Sequence, residues 1–306
     1  REAFTTPYSF LATVDAILQA GGTPLFADID PETLTIDPYE VERKISERTA
    51  GLVPVDLAGY PCEYDRLNEI CDTHKLLLVS DAAHAIGGAY RRKAIPHWCD
   101  AAVYSFYSTK NVTSGEGGMV VSRHKELVDR VRLIARHGLT SSTYERKKAN
   151  AWEYDVVEFG WKANMSELSA ALGLGELEQF KKNQAARAKL AQQYLKNLKT
   201  YEDYVILPVV RPGHTHGWHL FIIKLRAEAW KIGRDRFVRE MAARGVECGV
   251  HYKPVYEVAS TRGAFAVPGQ HSPDPGRAVA RAVAVRGDAM LGAEGGGGGE
   301  GGVVFW

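Results

Sequence analysis

Apolar and polar positions along this chain switch repeatedly between a helical and a strand period. LATVDAILQA (residues 11–20), DPYEVERKI (37–45) and EYDRLNEICDTH (63–74) carry apolar residues at helical spacing, the second opening on an Asp-Pro cap. Between and after them, TPLFADI (23–29), AGLVPVDL (50–57), KLLLV (75–79) and AAVYSF (101–106) are apolar runs of strand length. The unbroken run KLLLV predicts a strand buried on both faces of a parallel sheet. Strands alternating with helices of this length predict an α/β fold, a mostly parallel sheet between helices. Residues 165–199, rich in Ala, Leu, Glu, Gln and Lys, predict a long connecting helix. Gly173 and Gly175 inside it each weaken a helix by about 1 kcal/mol relative to alanine, and they mark an expected break or close contact. HLFIIKL (219–225) then predicts a strand, GRDRFVREMAARG (233–245) a helix ending at glycine, and VECGVHY (246–252) a second strand.

The chain thus divides into a large domain (1–164), the connecting helix (165–199), a partial small α+β domain (200–258) and an atypical tail (259–306). From Ala259 onward it turns to Ala, Gly, Arg and Pro and runs into Gly295–Gly299, so the tail is predicted to be disordered, as a segment read in a shifted frame would be. At 306 residues there is ample core for both domains. With 38 Lys and Arg against 37 Asp and Glu, no global field favours nucleic acid or a membrane surface. Cys62, Cys71, Cys99 and Cys248 have neither metal-ligand spacing nor a disulfide framework, which predicts reduced thiols in a cytoplasm. No apolar run approaches membrane-spanning length and no secretory signal opens the sequence, so a soluble protein without a metal is expected. The basic run Arg146–Lys148 reads as a solvated loop.

Two residues carry the candidate chemistry. Asp81 follows KLLLV, which sets its carboxylate at the carboxyl end of a strand, where open α/β sheets place ligands. Lys110 follows AAVYSF in the same way, after a hydroxyl-rich turn and before the glycine-rich GEGGMVV. An amine nucleophile and a fixed carboxylate suit an aldehyde cofactor with a pyridine ring, pyridoxal phosphate: the amine binds the aldehyde and the carboxylate keeps the ring nitrogen protonated.

The segments residues 7–37, VDLAGYPCEYDRL, SDAAHAIGGAYR, DAAVYSFYSTKNVTSGEGGMVV, RHGL, GWKANMSELSAALGLGELEQ, HGWHLFIIKL and GVHYKPVY resemble the DegT/DnrJ/EryC1/StrS sugar aminotransferases. These are fold type I pyridoxal phosphate enzymes that aminate nucleotide-linked keto-sugars, and the resemblance runs to about Val258. HGWHLFIIKL and GVHYKPVY look closest to members making 4-amino-4-deoxy sugars, such as the 4-amino-arabinose aminotransferase of lipid A modification. The resemblance implies Lys110 as the cofactor-binding lysine and Asp81 as the partner of the pyridine nitrogen. It implies His84 beside the ring, Ser105 on the phosphate and Phe10 packed on the ring face. Asn164 would reach the phosphate of a neighbouring subunit's cofactor, and it could equally cap the helix expected from Met165. His219, His251 and Tyr252 are candidate sugar contacts, and Asn111 and Thr109 possible supporting groups.

Sites shared between subunits imply a homodimer. The sequence opens past an N-terminal helical segment and a Gly-Thr turn that bind the cofactor phosphate in the family. The expected reaction moves an amino group from glutamate to a nucleotide-linked keto-sugar, with Lys110 shuttling the proton. Two rivals are a sugar dehydratase on the same scaffold, whose members carry histidine in place of this lysine, and a non-catalytic remnant.

Overall fold

The computed structural model describes residues 1–258 and 282–286. β1 (Glu2–Thr5), α1 (Leu11–Gln19), β2 (Thr23–Phe26), α2 (Pro38–Lys44), β3 (Thr49–Leu52), α3 (Tyr64–His74) and β4 (Leu77–Asp81) alternate along the chain. The short pair β5 (Ala89–Tyr90) and β6 (Lys93–Ala94) precedes β7 (Ala101–Ser105), β8 (Gly118–Val121), α4 (Lys125–Ile134), α5 (Thr143–Ala149) and α6 (Glu167–Leu198). Beyond α6 lie β9 (Val205–Ile206), β10 (His214–Thr215), β11 (Leu220–Leu225), α7 (Arg234–Ala242) and β12 (Ala282–Arg286). The central sheet runs β2-β1-β3-β4-β7-β8, parallel except for the last pair. The chain therefore forms the expected α/β fold with a mostly parallel sheet.

Local chemistry places the helix ends. Asp37 caps α2 by accepting from the Tyr39 amide, with Pro38 supplying a pre-set φ at the first helical position. α3 stops at Lys75, which takes the left-handed conformation at φ 56° and turns the chain into β4. α6 begins at Glu167, capped by Ser166 accepting from the Ser169 amide, so Asn164 is not the cap. It continues for 32 residues through both glycines: a Cβ on Gly175 would meet nothing, and one on Gly173 would meet Ser114 at an ordinary 3.5 Å. The expected break is absent because two glycines among good helix formers leave the hydrogen-bond ladder intact.

Four other expectations change. KLLLV is not buried on both faces: Leu78 and Ser80 face the core, while Leu77, Val79 and Asp81 face a cavity, with Leu77 63% exposed. VECGVHY is not a strand; it touches the small sheet at one bridge, Gly249 to Ala284. The place beside β11 is taken by Ala282–Arg286, which pairs with it antiparallel over five positions, although the sequence reads this stretch as part of a disordered tail. The rest of that tail lies outside the described residues. Arg146–Lys148 sit on the short helix α5, closed by a Ser142–Glu145 capping box, with the Arg146 guanidinium over the Tyr154 ring.

The small sheet β12-β11-β9 is buried on both sides. Phe221 and Ile223 pack with Phe237 of α7 and Ala191 of α6, while Leu220 and Ile222 pack with Tyr8, Leu34 and Leu57 of the large sheet's loops. Among the described residues no helix is long and apolar enough to cross a membrane.

Candidate active site

A cavity of about 1030 Å³ opens at the carboxyl ends of β4 and β7. Asp81 ends β4, Ser105 ends β7, and both line this cavity with Lys110, His84, Phe10, Thr109, His251 and Tyr252. Period-2 alternation explains its wall. Leu77, Val79 and Asp81 share one face of β4, and Val103 and Ser105 share one face of β7. Asp81 is thus in phase with the apolar residues that form the cavity floor.

Its carboxylate is held on both oxygens. Oδ2 accepts from Thr13 Oγ1 at 2.6 Å and Oδ1 from the Ala83 amide at 3.1 Å. Thr13 gives its only hydroxyl proton to Asp81, so in its 2.9 Å contact with Ser9 the Ser9 hydroxyl is the donor. The resulting chain Ser9 to Thr13 to Asp81 fixes the orientation of the carboxylate. An ionised carboxylate has roughly four acceptor positions, so two acceptors remain for a ligand N–H. The sequence offered one signal for Thr13: a hydroxyl at a buried position of α1, beside Val14 and Ile17.

Lys110 is half-buried in the turn after β7, its amide donating to the Tyr107 carbonyl. The next residue anchors this turn. Asn111 Nδ2 donates to the Gly217 carbonyl at 2.7 Å, and Asn111 Oδ1 faces His219 Nδ1 at 3.2 Å. A carbonyl oxygen can only accept, so His219 carries its proton on Nδ1. Burial, with the neighbouring His84, Lys110, Arg187 and His251 opposing a further positive charge, holds His219 well below the usual histidine range and therefore neutral. His219 does not line the cavity. It is buried behind His84, ring centroids 4.4 Å apart, and is not on the cavity wall with His251 and Tyr252.

Removing the Asn111 side chain leaves the buried His219 N–H without its acceptor, a loss worth about 1–3 kcal/mol, while the Gly217 carbonyl keeps its bond from Gln184 Nε2 at 3.0 Å. Asn111→Leu is expected to lower unfolding stability in urea by about 1–3 kcal/mol. An unchanged midpoint would count against this network.

His84 is oriented by backbone. The Ala58 amide donates to Nδ1 at 3.2 Å, so the ring proton sits on Nε2, which faces the Tyr252 hydroxyl at 3.1 Å. Ala58 points that amide inward from a left-handed conformation, φ 59°. Tyr252 also lies 5.7 Å from the Phe10 ring, so His84, Tyr252 and Phe10 form one continuous rim. Ser105 Oγ accepts from the Tyr107 amide at 3.3 Å and keeps its own proton for donation. Asn164 is exposed and outside the cavity of its own chain, bonded to Lys162 and to the Met165 carbonyl.

The residues present fit pyridoxal phosphate. The cavity holds an amine, a fixed carboxylate with acceptor capacity left over, a serine hydroxyl and an aromatic face, the donor set that an aldehyde, a pyridine nitrogen, a phosphate and a flat ring require.

The sequence profile of the DegT/DnrJ/EryC1/StrS aminotransferase family matches residues 1–285, past the point near Val258 where the resemblance was expected to stop. The spore coat polysaccharide biosynthesis protein SpsC of Bacillus subtilis is 34% identical over 257 residues, 83% of this chain and 66% of that protein. The chain thus spans 66% of the length of this curated relative. Among solved structures, Helicobacter pylori PseC, an aminotransferase of pseudoaminic acid biosynthesis, superposes with TM-score 0.86 at 29% identity, over 96% of this chain and 76% of that one. The PLP form of the Streptococcus pneumoniae sugar aminotransferase Spr1654 shares the fold, TM-score 0.84 at 23% identity over 94% of this chain and 75% of that one.

Proposed function

This chain belongs to the DegT/DnrJ/EryC1/StrS aminotransferase family, and we propose that it moves an amino group from glutamate to a nucleotide-linked keto-sugar with pyridoxal phosphate as cofactor. The observation that carries this reading is the placement of Lys110 and Asp81 on one cavity, at the ends of adjacent parallel strands. Bound there, the cofactor supplies an electron sink for the charge that develops at the donor's α-carbon. Asp81 holds a proton at the ring nitrogen. Nζ of Lys110 would hold the cofactor's aldehyde and would supply the base and acid that move a proton at the donor's α-carbon and, in turn, at the acceptor carbon that receives the amine. Ser105 donates to the phosphate, Phe10 covers the ring and keeps water off it, and Nε2–H of His84 works beside the ring with Tyr252. His251 and Tyr252 face the acceptor. HGWHLFIIKL and GVHYKPVY favour a 4-amino-4-deoxy product of the 4-amino-arabinose type.

The test is spectroscopic. Purified protein mixed with pyridoxal phosphate develops a lysine-bound absorbance band that bleaches with glutamate as 2-oxoglutarate forms. A protein that develops no band would be a non-catalytic remnant.

The working form in this reading is a homodimer in the cytoplasm, where its four thiols stay reduced. Phe159 is fully exposed, and Trp152, Trp161 and Leu168 are each more than 60% exposed, an apolar surface around Asn164 that a monomer would leave in water. Phe159→Glu is expected to shift the protein to monomers in sedimentation and to weaken cofactor binding about tenfold, because Asn164 then no longer reaches a partner's phosphate. A monodisperse dimer of that variant with full cofactor affinity would refute this arrangement.

A further inference from the structure

We propose that Asp56 is a positioning residue for Asp81, fixing the end of β4 from the face of the sheet opposite the cofactor. The inference rests on the functional reading above and names a residue outside the cavity.

Asp56 follows β3 and is completely buried. Its backbone amide donates to the Asp81 carbonyl at 3.0 Å, while the Asp81 amide donates to the Pro54 carbonyl at 2.9 Å. Beyond the last regular pair of β3 and β4, these two bonds carry the parallel ladder to the functional residue. The Asp56 side chain adds a second hold. Its Oδ2 accepts from Ser80 Oγ at 2.7 Å, and Ser80 is the residue before Asp81 on β4. Side chains alternate along a strand, so Ser80 points into the core as Asp81 points into the cavity. A rotation of the strand end that moved Asp81 would have to break the Ser80 bond.

The carboxylate is itself immobilised. The Cys62 amide donates to Oδ1 at 2.8 Å, and the Tyr64 hydroxyl donates to Oδ2 at 2.7 Å. Tyr64 is fully buried and comes from α3. Burial pushes the Asp56 carboxyl up to about 6, and the donors from Ser80, Tyr64 and Cys62 are what favour its charged form. A buried carboxylate with no ligand of its own is costly to keep, and a merely structural role does not require its link to run through the neighbour of Asp81.

Three variants separate positioning from packing. Ser80→Ala removes the side-chain link from Asp56 to β4 and changes little volume. Asp56→Asn keeps the shape and loses the charge. Asn68→Ala removes from α3 the side-chain bonds to the Tyr64 and Trp98 carbonyls and involves neither Asp56 nor Ser80. The full-length chain and these variants are titrated with pyridoxal phosphate, and the bleaching of the bound band is followed in single turnovers with glutamate.

Ser80→Ala and Asp56→Asn are expected to bind the cofactor about tenfold more weakly and to bleach about tenfold more slowly at saturating glutamate, with the glutamate concentration for half-maximal rate within about twofold of the parent. Asn68→Ala is expected to melt at lower temperature yet keep the parent's band, affinity and rate. Parent-like affinity and rate in Ser80→Ala would overturn the positioning role, and so would an equal defect in Asn68→Ala. Should the parent chain form no band at all, the functional reading fails first, and the two failures are told apart by that control.

Discussion

Replacing Lys110 with alanine is expected to reduce transamination by about 10³-fold or more, the largest effect of any single substitution in this chain. Two contributions are lost together. The amine anchors the aldehyde, and afterwards it carries the proton to and from the reacting carbon, a step that a positioned base speeds by about 10²–10⁴-fold. Among the described residues no other lysine lines the cavity, so nothing beside it takes over. Affinity for pyridoxal phosphate should fall far less than the rate, because Asp81, Ser105 and Phe10 remain in place. Borohydride followed by peptide mapping checks the assignment: cofactor label on the peptide containing Lys110 in the parent, and none there in Lys110→Ala. Label on a different lysine in the parent would remove the basis of the functional reading.

Asp81→Asn should lower the single-turnover rate by about 10²–10³-fold, the size expected when a preorganised charge next to the reacting system is removed. The side chain remains nearly isosteric, and its oxygen can still accept from Thr13 or from the Ala83 amide. What disappears is the negative charge that keeps a proton on the ring nitrogen. Fold and cofactor capture should therefore survive while the chemistry slows. A cofactor analogue methylated on the ring nitrogen carries its positive charge permanently, so with it the deficit of Asp81→Asn should shrink relative to the parent. A variant as fast as the parent with the normal cofactor would exclude Asp81 from this role.

The candidate site was half legible in the chain. Lys110 and Asp81 could be found because each ends an apolar run, and a parallel sheet delivers the ends of its strands to one edge. Their supports were hidden. Thr13 sits in a helix chosen for its apolar spacing, and Asn111, Gly217 and His219 are joined across more than a hundred residues, a closure that no local pattern encodes. His219 shows the difficulty. It stood among the candidate sugar contacts, and only packing shows that it lies buried behind His84 and off the cavity wall. β12 was missed for a related reason. A run of alanine and valine has weak strand preference by itself, and it becomes a strand because β11 offers an unpaired edge and α7 a surface to pack on.

Taken alone, the sequence determined the alternation of helices and strands, the mostly parallel sheet and the helix cap at Asp37, since these follow from periods and short-range hydrogen bonds. Tertiary structure alone decided which face of β4 meets the cavity, which histidine nitrogen carries a proton, and which buried groups hold Asp81 from behind. Those depend on atoms brought within 3 Å or so by packing between distant segments, where a single donor facing a single acceptor leaves only one protonation pattern possible.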